Sequence, residues 1–267
     1  MSIKKILACT LATTAAFATL SFSSCGDKDT LIVYSEAGFA PWEFTKPGTT
    51  DIIGVDMEIA NYIANKYDWK LKVINGSFDT IIAGIAEDNA LGIAGISYRA
   101  DRADDVEFSK FYWGDAFQSV VYKTSSNPDL IDGAFAVSNF ADSKLVYQTG
   151  TTSQITVSEN AATWNYANTA SFSEVMVALQ DMKTASIEEY LIVDSQVAAQ
   201  LTANDTNLSF APIQGLDAEQ YGVVAKKGNT ELIAKVNAAL DELLVEDENG
   251  KNQIEKWFDQ YSVIEAE

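Results

Sequence analysis

Hydrophobic residues recur along this chain in two rhythms, one typical of strands and one typical of helices. Val55, Ile59 and Ile63 recur at four-residue spacing and predict a helix that follows Gly54. In the first half, the rhythms predict in order a strand at residues 31–34, that helix, a strand at 71–74, a helix at 79–87 and a strand at 91–96. Strands that alternate with helices are typical of a parallel sheet covered by helices.

The same alternation restarts in the second half of the chain. It predicts strands at residues 144–148, 191–193 and 221–225, and helices at residues 153–164, 175–182, 195–201, 230–245 and 254–261. Small and polar residues at 124–128 predict a loop just after the chain first crosses between the two blocks. Two α/β blocks in a chain of 267 residues predict two lobes.

The composition excludes several classes of protein. Hydrophobic residues make up 47% of the chain and charged residues 21%, which indicates a globular protein with a substantial core. The 38 acidic and 18 basic residues give a net charge of −20, and so acidic a surface repels phosphate and argues against a nucleic-acid partner. The chain has no histidine, which removes histidine-based catalytic arrangements and histidine-based metal sites.

Motifs for catalysis or cofactors are also missing from the sequence. It contains no glycine-rich phosphate loop. The acidic fragment at residues 247–250 follows Val245, where a calcium loop needs an acid, so we expect a turn between helices there. We therefore expect no catalytic residue, no metal and no cofactor.

The first residues of the chain have the pattern of a targeting signal. Lys4 and Lys5 precede an uncharged apolar stretch at residues 6–22, and small residues follow it. This order predicts a secretory signal peptide at residues 1–24. A retained membrane span is the alternative, because the apolar stretch is close to the length that a span requires.

Cys25 follows two serines and resembles the acylated cysteine of a bacterial lipobox. We therefore expect a lipid on Cys25 that anchors the chain to a membrane, followed by a short tether, so that residues 25–30 link the anchor to the body. The second cysteine is Cys9, in the signal peptide, so no disulfide framework is expected in the body of the protein.

Short motifs spread over the whole chain give the most specific indication of function. Gly95-Ile96-Ser97 ends a predicted strand, and Arg102 lies five residues further on. The other motifs lie at residues 39–44 (FAPWEF), 54–56 (GVD), 108–112 (FSKFY), 148–152 (QTGTT), 193–195 (VDS), 220–223 (QYGV) and 256–258 (KWF). Over about residues 31–261 their order and spacing resemble the periplasmic or lipoprotein solute-binding proteins for polar amino acids, the receptors of ABC importers.

That resemblance implies an α/β fold with two lobes, of the periplasmic-binding-protein-like class, type II. Each lobe would hold a mostly parallel sheet flanked by helices, and two hinge crossings would join the lobes. Lobe 1 would comprise residues 31–116 and 217–267, and lobe 2 residues 117–216. The resemblance also implies a monomeric receptor outside the cytoplasm, on the cell membrane, which delivers its amino acid to the permease subunits of the importer.

A zwitterionic amino acid needs a partner of opposite sign for each charge, because both charges lose water when the site encloses them. Arg102 offers a planar guanidinium that matches the carboxylate. Asp194 follows an apolar strand and would supply the counter-charge for the ammonium. The resemblance implies that the Gly95 carbonyl and the Ser97 hydroxyl help to hold the ammonium, and that Ser97 also reaches the carboxylate.

Five further residues complete the expected site. Thr151 lies at a predicted helix N-terminus, a natural place for an anion, and Phe39 and Phe78 would enclose the ligand's side chain. By their positions in the family pattern, Glu36 and Gln148 lie where that side chain ends. A carboxylate there disfavours an acidic side chain, so we expect a polar or cationic L-amino acid such as glutamine, arginine, lysine or histidine, with cystine also open.

Each of these residues also has a purely structural alternative. Arg102 could form a surface ion pair with a neighbouring aspartate, and Asp194 and Thr151 could simply cap helices. The two phenylalanines could belong to the core, and Trp42 is expected there more than in the site. Two functional alternatives also stay open: an amino-acid sensor without transport, and a dehydratase-like enzyme on the same fold.

Overall fold

Two five-stranded sheets organise the described part of the chain. The structure is a computed structural model that describes residues 29–263, so the predicted signal peptide and Cys25 lie outside it. Its strands are β1 (Thr30–Ser35), β2 (Gly38–Phe39), β3 (Glu43–Thr45), β4 (Ile52–Ile53), β5 (Lys70–Asn75), β6 (Ala90–Gly92), β7 (Val106–Ala116), β8 (Gln118–Lys123), β9 (Leu130–Ile131), β10 (Ala134–Phe135), β11 (Lys144–Gln148), β12 (Asn168–Phe172), β13 (Glu189–Asp194), β14 (Leu208–Pro212) and β15 (Glu219–Lys226). Its α-helices are α1 (Val55–Lys66), α2 (Phe78–Gly84), α3 (Ala100–Asp105), α4 (Thr152–Glu159), α5 (Ala161–Trp164), α6 (Val175–Thr184), α7 (Ser195–Thr202), α8 (Thr230–Leu243) and α9 (Gln253–Tyr261). Among them, no helix is long and apolar enough to cross a membrane.

The two large sheets share one plan. The strand order is β5-β1-β6-β15-β7 in the first sheet and β12-β11-β13-β8-β14 in the second. Three strands of each sheet run parallel, as the alternation of strands and helices predicts. The edge strands β7 and β14 run in the same direction as these three, because each pairs antiparallel with β15 or β8, which is itself antiparallel to the first three strands. Each sheet is therefore mostly parallel, as expected, with β15 or β8 as its one reversed strand. Both reversed strands enter their sheet directly from a crossing, with no helix in between to turn the chain around.

Three predicted elements end early or are interrupted in the structure, each near a residue that disfavours the regular backbone conformation. Helix α2 ends at Gly84 instead of residue 87, since glycine weakens a helix. Strand β6 ends at Gly92 instead of residue 96, because the chain turns at Gly95, whose φ is +51°. The helix expected at residues 153–164 is two helices, α4 and α5, which meet at Asn160.

The core confirms the apolar pattern of the first helix. Val55, Ile59 and Ile63 are buried on the inner face of α1. Trp42 is fully buried and packs edge-on against Tyr221, so it belongs to the core, as expected from the sequence. This packing holds β15 in the first sheet, and β15 carries a residue of the candidate site described below.

The chain passes between the sheets twice. The strands of the first sheet come from residues 30–116 and 219–226, and those of the second from residues 118–212. The crossings therefore lie between β7 and β8 and between β14 and β15. We call the first sheet with α1, α2, α3, α8 and α9 the first lobe, and the second sheet with α4 to α7 the second lobe. Two adjacent crossings form a hinge about which lobes can open and close.

Candidate functional site

Arg102 is held inside the molecule, between the two lobes. It lies in α3 and is only 8% exposed. Its Nη1 donates a hydrogen bond to the carbonyl oxygen of Ser97, and its Nη2 donates one to the carbonyl oxygen of Gly150, each at 2.9 Å. Within residues 29–263 the guanidinium pairs with no carboxylate, so the surface ion pair left open by the sequence is not formed. Arg102 is thus buried without a carboxylate in direct ion-pair contact, although Glu219, Asp101 and Asp194 attract its charge from a greater distance.

Asp194 is the corresponding buried acid. It ends β13, and its Oδ1 accepts a hydrogen bond of 2.6 Å from Nε2 of Gln118, while its Oδ2 accepts one from the hydroxyl of Tyr221. Although it occupies the N-cap position of α7, its side chain makes no capping bond. Burial raises the pKa of Asp194 to about 7, with Glu219 adding to the rise and the two donors and Arg102 opposing it. The position of the Asp194 carboxylate is therefore fixed by donors on β8 and β15 and not by a helix cap. We call β8 and β15, the strands that follow the two crossings, the hinge strands.

One small cavity between the lobes brings together most of the residues expected from the sequence. Besides those expected residues, which are listed below, its wall contains Thr152, Ser153, Ile192 and Val193. The volume of this cavity is about 20 Å³, which is room for about one water molecule. An amino acid is larger than that, so the cavity has to widen before it can hold one. Eight of the nine expected residues border the cavity: Phe39, Phe78, Gly95, Ser97, Arg102, Gln148, Thr151 and Asp194.

The wall on the side of the first lobe depends on a close backbone approach. Gly95 has a φ of +51°, a torsion that residues with a side chain rarely adopt. A Cβ at this position would lie 3.0 Å from the ring of Phe39, so the ring packs directly on the Gly95 backbone. The ring of Phe78 lies on another side, with its centroid 5.5 Å from the Arg102 guanidinium carbon. Both rings are half-buried, so they belong to the cavity wall as much as to the core.

The wall on the side of the second lobe is built at the turn from β11 into α4. Thr151 caps α4: its hydroxyl accepts from the backbone N–H of Gln154 at 3.4 Å and donates to the carbonyl oxygen of Gln148 at 2.8 Å. Gln148 is buried and donates through Nε2 to the carbonyl oxygen of Ser173 at 2.9 Å. The capping role left open for Thr151 is thus present, and the same residue also borders the cavity.

Glu36 lies outside the small cavity. It borders a wider cleft of about 900 Å³, which runs from β2 and β3 of the first lobe to α6 and α7 of the second. Its carboxylate is buried and lies near the Gln148 side chain, so these two side chains lie where the small cavity adjoins the wide cleft. Burial raises the pKa of Glu36 to about 7; the nearby Gln148 amide opposes the rise, and Glu174 adds to it.

Arg102 and Asp194 are the charged residues that border the small cavity. Arg99, the other arginine nearby, pairs with Asp101 at 3.1 Å and with Glu159 of the second lobe at 2.9 Å. Arg99 does not border the small cavity. No cluster of acidic or cysteine side chains within residues 29–263 is arranged to hold a metal ion.

Two residues outside the expected site hold Asp194 in place. Gln118, at the start of β8, bonds to Asp194 and to Thr152 Oγ1, and accepts a bond of 2.7 Å from Ser153 Oγ. Tyr221, in β15, is fully buried and bonds to the other oxygen of Asp194. Tyr221 falls within the QYGV motif, which is a usable signal, whereas Gln118 carries none beyond its place at the first crossing.

Comparisons with known proteins agree with this architecture. The family model for bacterial extracellular solute-binding proteins, family 3, matches residues 31–260, and the chain belongs to that family. The resemblance derived from the motifs is thereby confirmed, and the family places the protein outside the cytoplasm. Among curated relatives are the arginine-binding extracellular protein ArtP of Bacillus subtilis, 26% identical over 258 residues and covering 95% of each chain, and a probable histidine-binding protein of Neisseria gonorrhoeae, 24% identical over 262 residues and covering 91% of each.

Solved structures with the same fold include amino-acid complexes. An amino acid ABC transporter substrate-binding protein, AbpA, from Streptococcus pneumoniae, bound to L-arginine, has a TM-score of 0.78 and 25% identity, covering 90% of this chain and 97% of its own. An ancestral arginine-binding protein, solved with arginine and with glutamine, has a TM-score of 0.73 and 26% identity, covering 88% of this chain and 98% of its own. The two-lobed, periplasmic-binding-protein-like α/β fold is confirmed.

Proposed function

We propose that this protein is the substrate-binding component of an ABC importer and that it captures a polar or cationic L-amino acid between its lobes. One observation carries the proposal: Arg102 and Asp194 are buried, opposite in charge and without ion-pair partners of their own, and they border the same cavity. Burying charges in this way is unfavourable unless a ligand provides the missing counter-charges. A zwitterion provides both.

In this proposal the ligand's carboxylate binds Arg102, whose planar guanidinium can donate two parallel hydrogen bonds. The ammonium binds Asp194, assisted by the Gly95 carbonyl and the Ser97 hydroxyl. Thr151 adds a contact to the carboxylate from the N-terminus of α4, where the helix dipole favours negative charge. No bond of the ligand is broken, so the proposal includes no catalytic residue.

Binding would be coupled to closure of the hinge. Arg102 belongs to the first lobe and Asp194 to the second, so a ligand that bonds to both binds the closed state more tightly than the open one. Such a difference in affinity is what shifts a conformational equilibrium. We take lobe 1 to comprise residues 31–116 and 217–267 and lobe 2 residues 117–216, which agrees with the origins of the strands in the two sheets.

The ligand's side chain would pass between Phe39 and Phe78 toward Glu36 and Gln148. A carboxylate and an amide at that point suit a cation or a polar amide and disfavour an acid. The relatives support this class of ligand, since they include arginine-binding and histidine-binding proteins and a protein solved with arginine and with glutamine.

The remaining parts of the proposal concern the protein's surroundings. A lipid on Cys25 would anchor a monomer to the outer face of the cell membrane, and residues 25–30 would tether its body. The closed, ligand-bound form would then meet the permease subunits.

A thermal-shift panel tests the proposed ligand class. The soluble body of the chain is heated with each of the twenty common L-amino acids, cystine and ornithine, because a ligand that binds only the folded state raises its melting temperature. We expect the largest shift from arginine, lysine, histidine or glutamine. The largest shift from glutamate or aspartate would refute the ligand class, and no shift from any compound would refute amino-acid binding.

A further inference from the structure

Two carboxyl groups lie buried side by side directly behind the cavity wall. Glu43, in β3, and Asp56, in the first turn of α1, are both 0% exposed and lie within hydrogen-bonding reach of each other. Neither forms an ion pair within the described residues. The other ionisable groups that face Glu43 are Glu36, Asp194 and the hydroxyl of Tyr112, none of which carries a positive charge. Two adjacent negative charges would be strongly unfavourable in this position.

The hydrogen bonds of the pair can be assigned oxygen by oxygen. Oδ2 of Asp56 accepts from the backbone N–H of Gly95 at 2.7 Å and from the Tyr112 hydroxyl at 3.1 Å. Oδ1 of Asp56 and both oxygens of Glu43 receive no hydrogen bond from any other described residue. Two ionised carboxylates can only accept, so they can bond to each other only if one of them keeps its proton.

The surroundings decide which group keeps it. Burial, Asp56 and the other nearby acids raise the pKa of Glu43 well above its ordinary value. Burial also raises the pKa of Asp56, but the bonds from Glu43, Gly95 and Tyr112 oppose that rise. Donors on Asp56 stabilise its ionised form, and Glu43 has no such donors.

We propose that Glu43 is protonated and donates to Asp56, and that Asp56, kept ionised in this way, is the positioning residue for the Gly95 segment of the ligand site. The Gly95 backbone is held between this carboxylate, which binds its N–H, and the Phe39 ring, on which it packs. Because Gly95 adopts a left-handed torsion that glycine can easily leave, a strong acceptor is what holds it there. The ligand part of this proposal rests on the proposed function, whereas the placement of the proton does not.

The first test needs no ligand. Carbon-13 NMR of the carboxyl groups in the ligand-free protein reports their charge at about pH 7, where an ordinary glutamate is ionised. We expect the Glu43 carboxyl to be protonated and the Asp56 carboxyl to be ionised. An ionised Glu43, or a protonated Asp56, would overturn the assignment.

The second test compares two isosteric variants. In Glu43→Gln, a side-chain N–H replaces the carboxylic O–H as the donor to Asp56, so the amide proton shift of Gly95 should stay unchanged and the affinity for L-arginine should remain within about twofold. In Asp56→Asn, a neutral acceptor faces the Gly95 N–H, so that proton shift should move to lower frequency and the affinity should fall roughly tenfold. Asp51→Asn, at an exposed carboxylate just before β4, is the matched control and should change neither the Gly95 proton shift nor the affinity.

These outcomes separate the two proposals. If Glu43→Gln shifts the Gly95 amide proton, or weakens binding as much as Asp56→Asn does, Glu43 does not act as a proton donor and the positioning role is refuted. If the wild-type protein does not bind L-arginine, the ligand part of the proposed function fails for that amino acid, and the NMR measurements alone decide the inference. If Asp56→Asn does not fold, the carboxyl spectrum and Glu43→Gln decide it.

Discussion

The guanidinium of Arg102 donates a hydrogen bond of 2.9 Å to the carbonyl oxygen of Gly150 and thereby joins the two lobes across the cavity. Gly150 itself has a φ of +80°, and a Cβ on it would lie 2.7 Å from the Cβ of Asp79 in the first lobe. The absence of a side chain at Gly150 is therefore what allows the lobes to approach so closely at this point.

Gly150→Ala should consequently weaken ligand binding by hindering closure. Gly215 provides a matched control, because its φ is also +80° and nothing lies within 4 Å of the position of its Cβ. Both alanine variants should lose similar stability from backbone strain. Only Gly150→Ala should also lose affinity for L-arginine, roughly 5- to 100-fold by calorimetry. Equal affinities in the two variants would mean that this contact does not limit closure.

Asp194 should make the stability of the ligand-free protein depend on pH. Its pKa is about 7 when folded and would be about 4 in the unfolded chain, so between these values the folded state binds more protons. The free energy of unfolding should therefore rise, through this group, as the pH falls from about 8 toward 4. Urea unfolding of the wild type and of Asp194→Asn measures this contribution as the difference between the two pH profiles. Parallel profiles would show that the pKa of Asp194 is not raised.

The affinity for the ligand should change with pH in the opposite direction. The ligand's ammonium needs Asp194 in its ionised form, and protonation competes with binding below about pH 7. Calorimetry with L-arginine should show an affinity that falls as the pH drops, by up to about tenfold per pH unit. Binding should also release protons, which titrations in buffers of different ionisation enthalpy would detect. A constant affinity from about pH 8 to 5 would contradict the role of Asp194.

Glu36 should set the preference for a cationic side chain. Glu36→Gln keeps the size and the hydrogen-bonding capacity of the group but removes its charge. We expect the affinity for arginine to fall roughly tenfold and that for glutamine to stay within about threefold, since a single charge pair is lost. Glu246→Gln, at an exposed carboxylate just after α8 and outside both cavities, should change neither affinity. Equal losses for arginine and glutamine would show that Glu36 does not act through its charge.

Cys25 should determine attachment to the membrane. Cys25→Ser should move the protein from the membrane fraction to the soluble fraction or block its processing, because the lipid would be carried by the thiol. The mass of the mature N-terminus, measured by mass spectrometry, shows directly whether Cys25 carries a lipid. An unmodified cysteine on a retained signal sequence, or cleavage at another position, would rule out the lipoprotein assignment.

The sequence predicted those parts of the fold that local periodicity determines. The four-residue spacing of Val55, Ile59 and Ile63 identified α1, and its buried face is the one expected. Apolar periodicity did not predict the boundaries that backbone geometry sets, such as the end of β6 before the left-handed turn at Gly95. Strand β12 was not foreseen, because its residues are mostly polar and exposed and show little apolar alternation.

The residues of the candidate site likewise fall into those that the sequence could predict and those that it could not. Arg102, Asp194 and the residues around them could be named because they lie in short motifs at the ends of strands. Gln118 and Tyr221 could not be named as their partners, since they are far from Asp194 in sequence and meet it only through the two hinge strands. The wide cleft beside Glu36 likewise depends on how the two lobes face each other, which no local pattern encodes.

Titration calorimetry of Arg102→Ala and Asp194→Ala tests the central claim most directly, namely that these two residues hold the carboxylate and the ammonium of an amino acid. Each variant leaves one buried ligand charge without a partner, so the affinity for L-arginine, or for whichever amino acid gives the largest thermal shift, should fall roughly 100-fold or more while the fold is retained. Arg99→Ala, which removes an arginine outside the cavity and its exposed ion pair with Glu159 of the second lobe, should lose no more than about fivefold in affinity. Wild-type affinity in either the Arg102 or the Asp194 variant would contradict the claim.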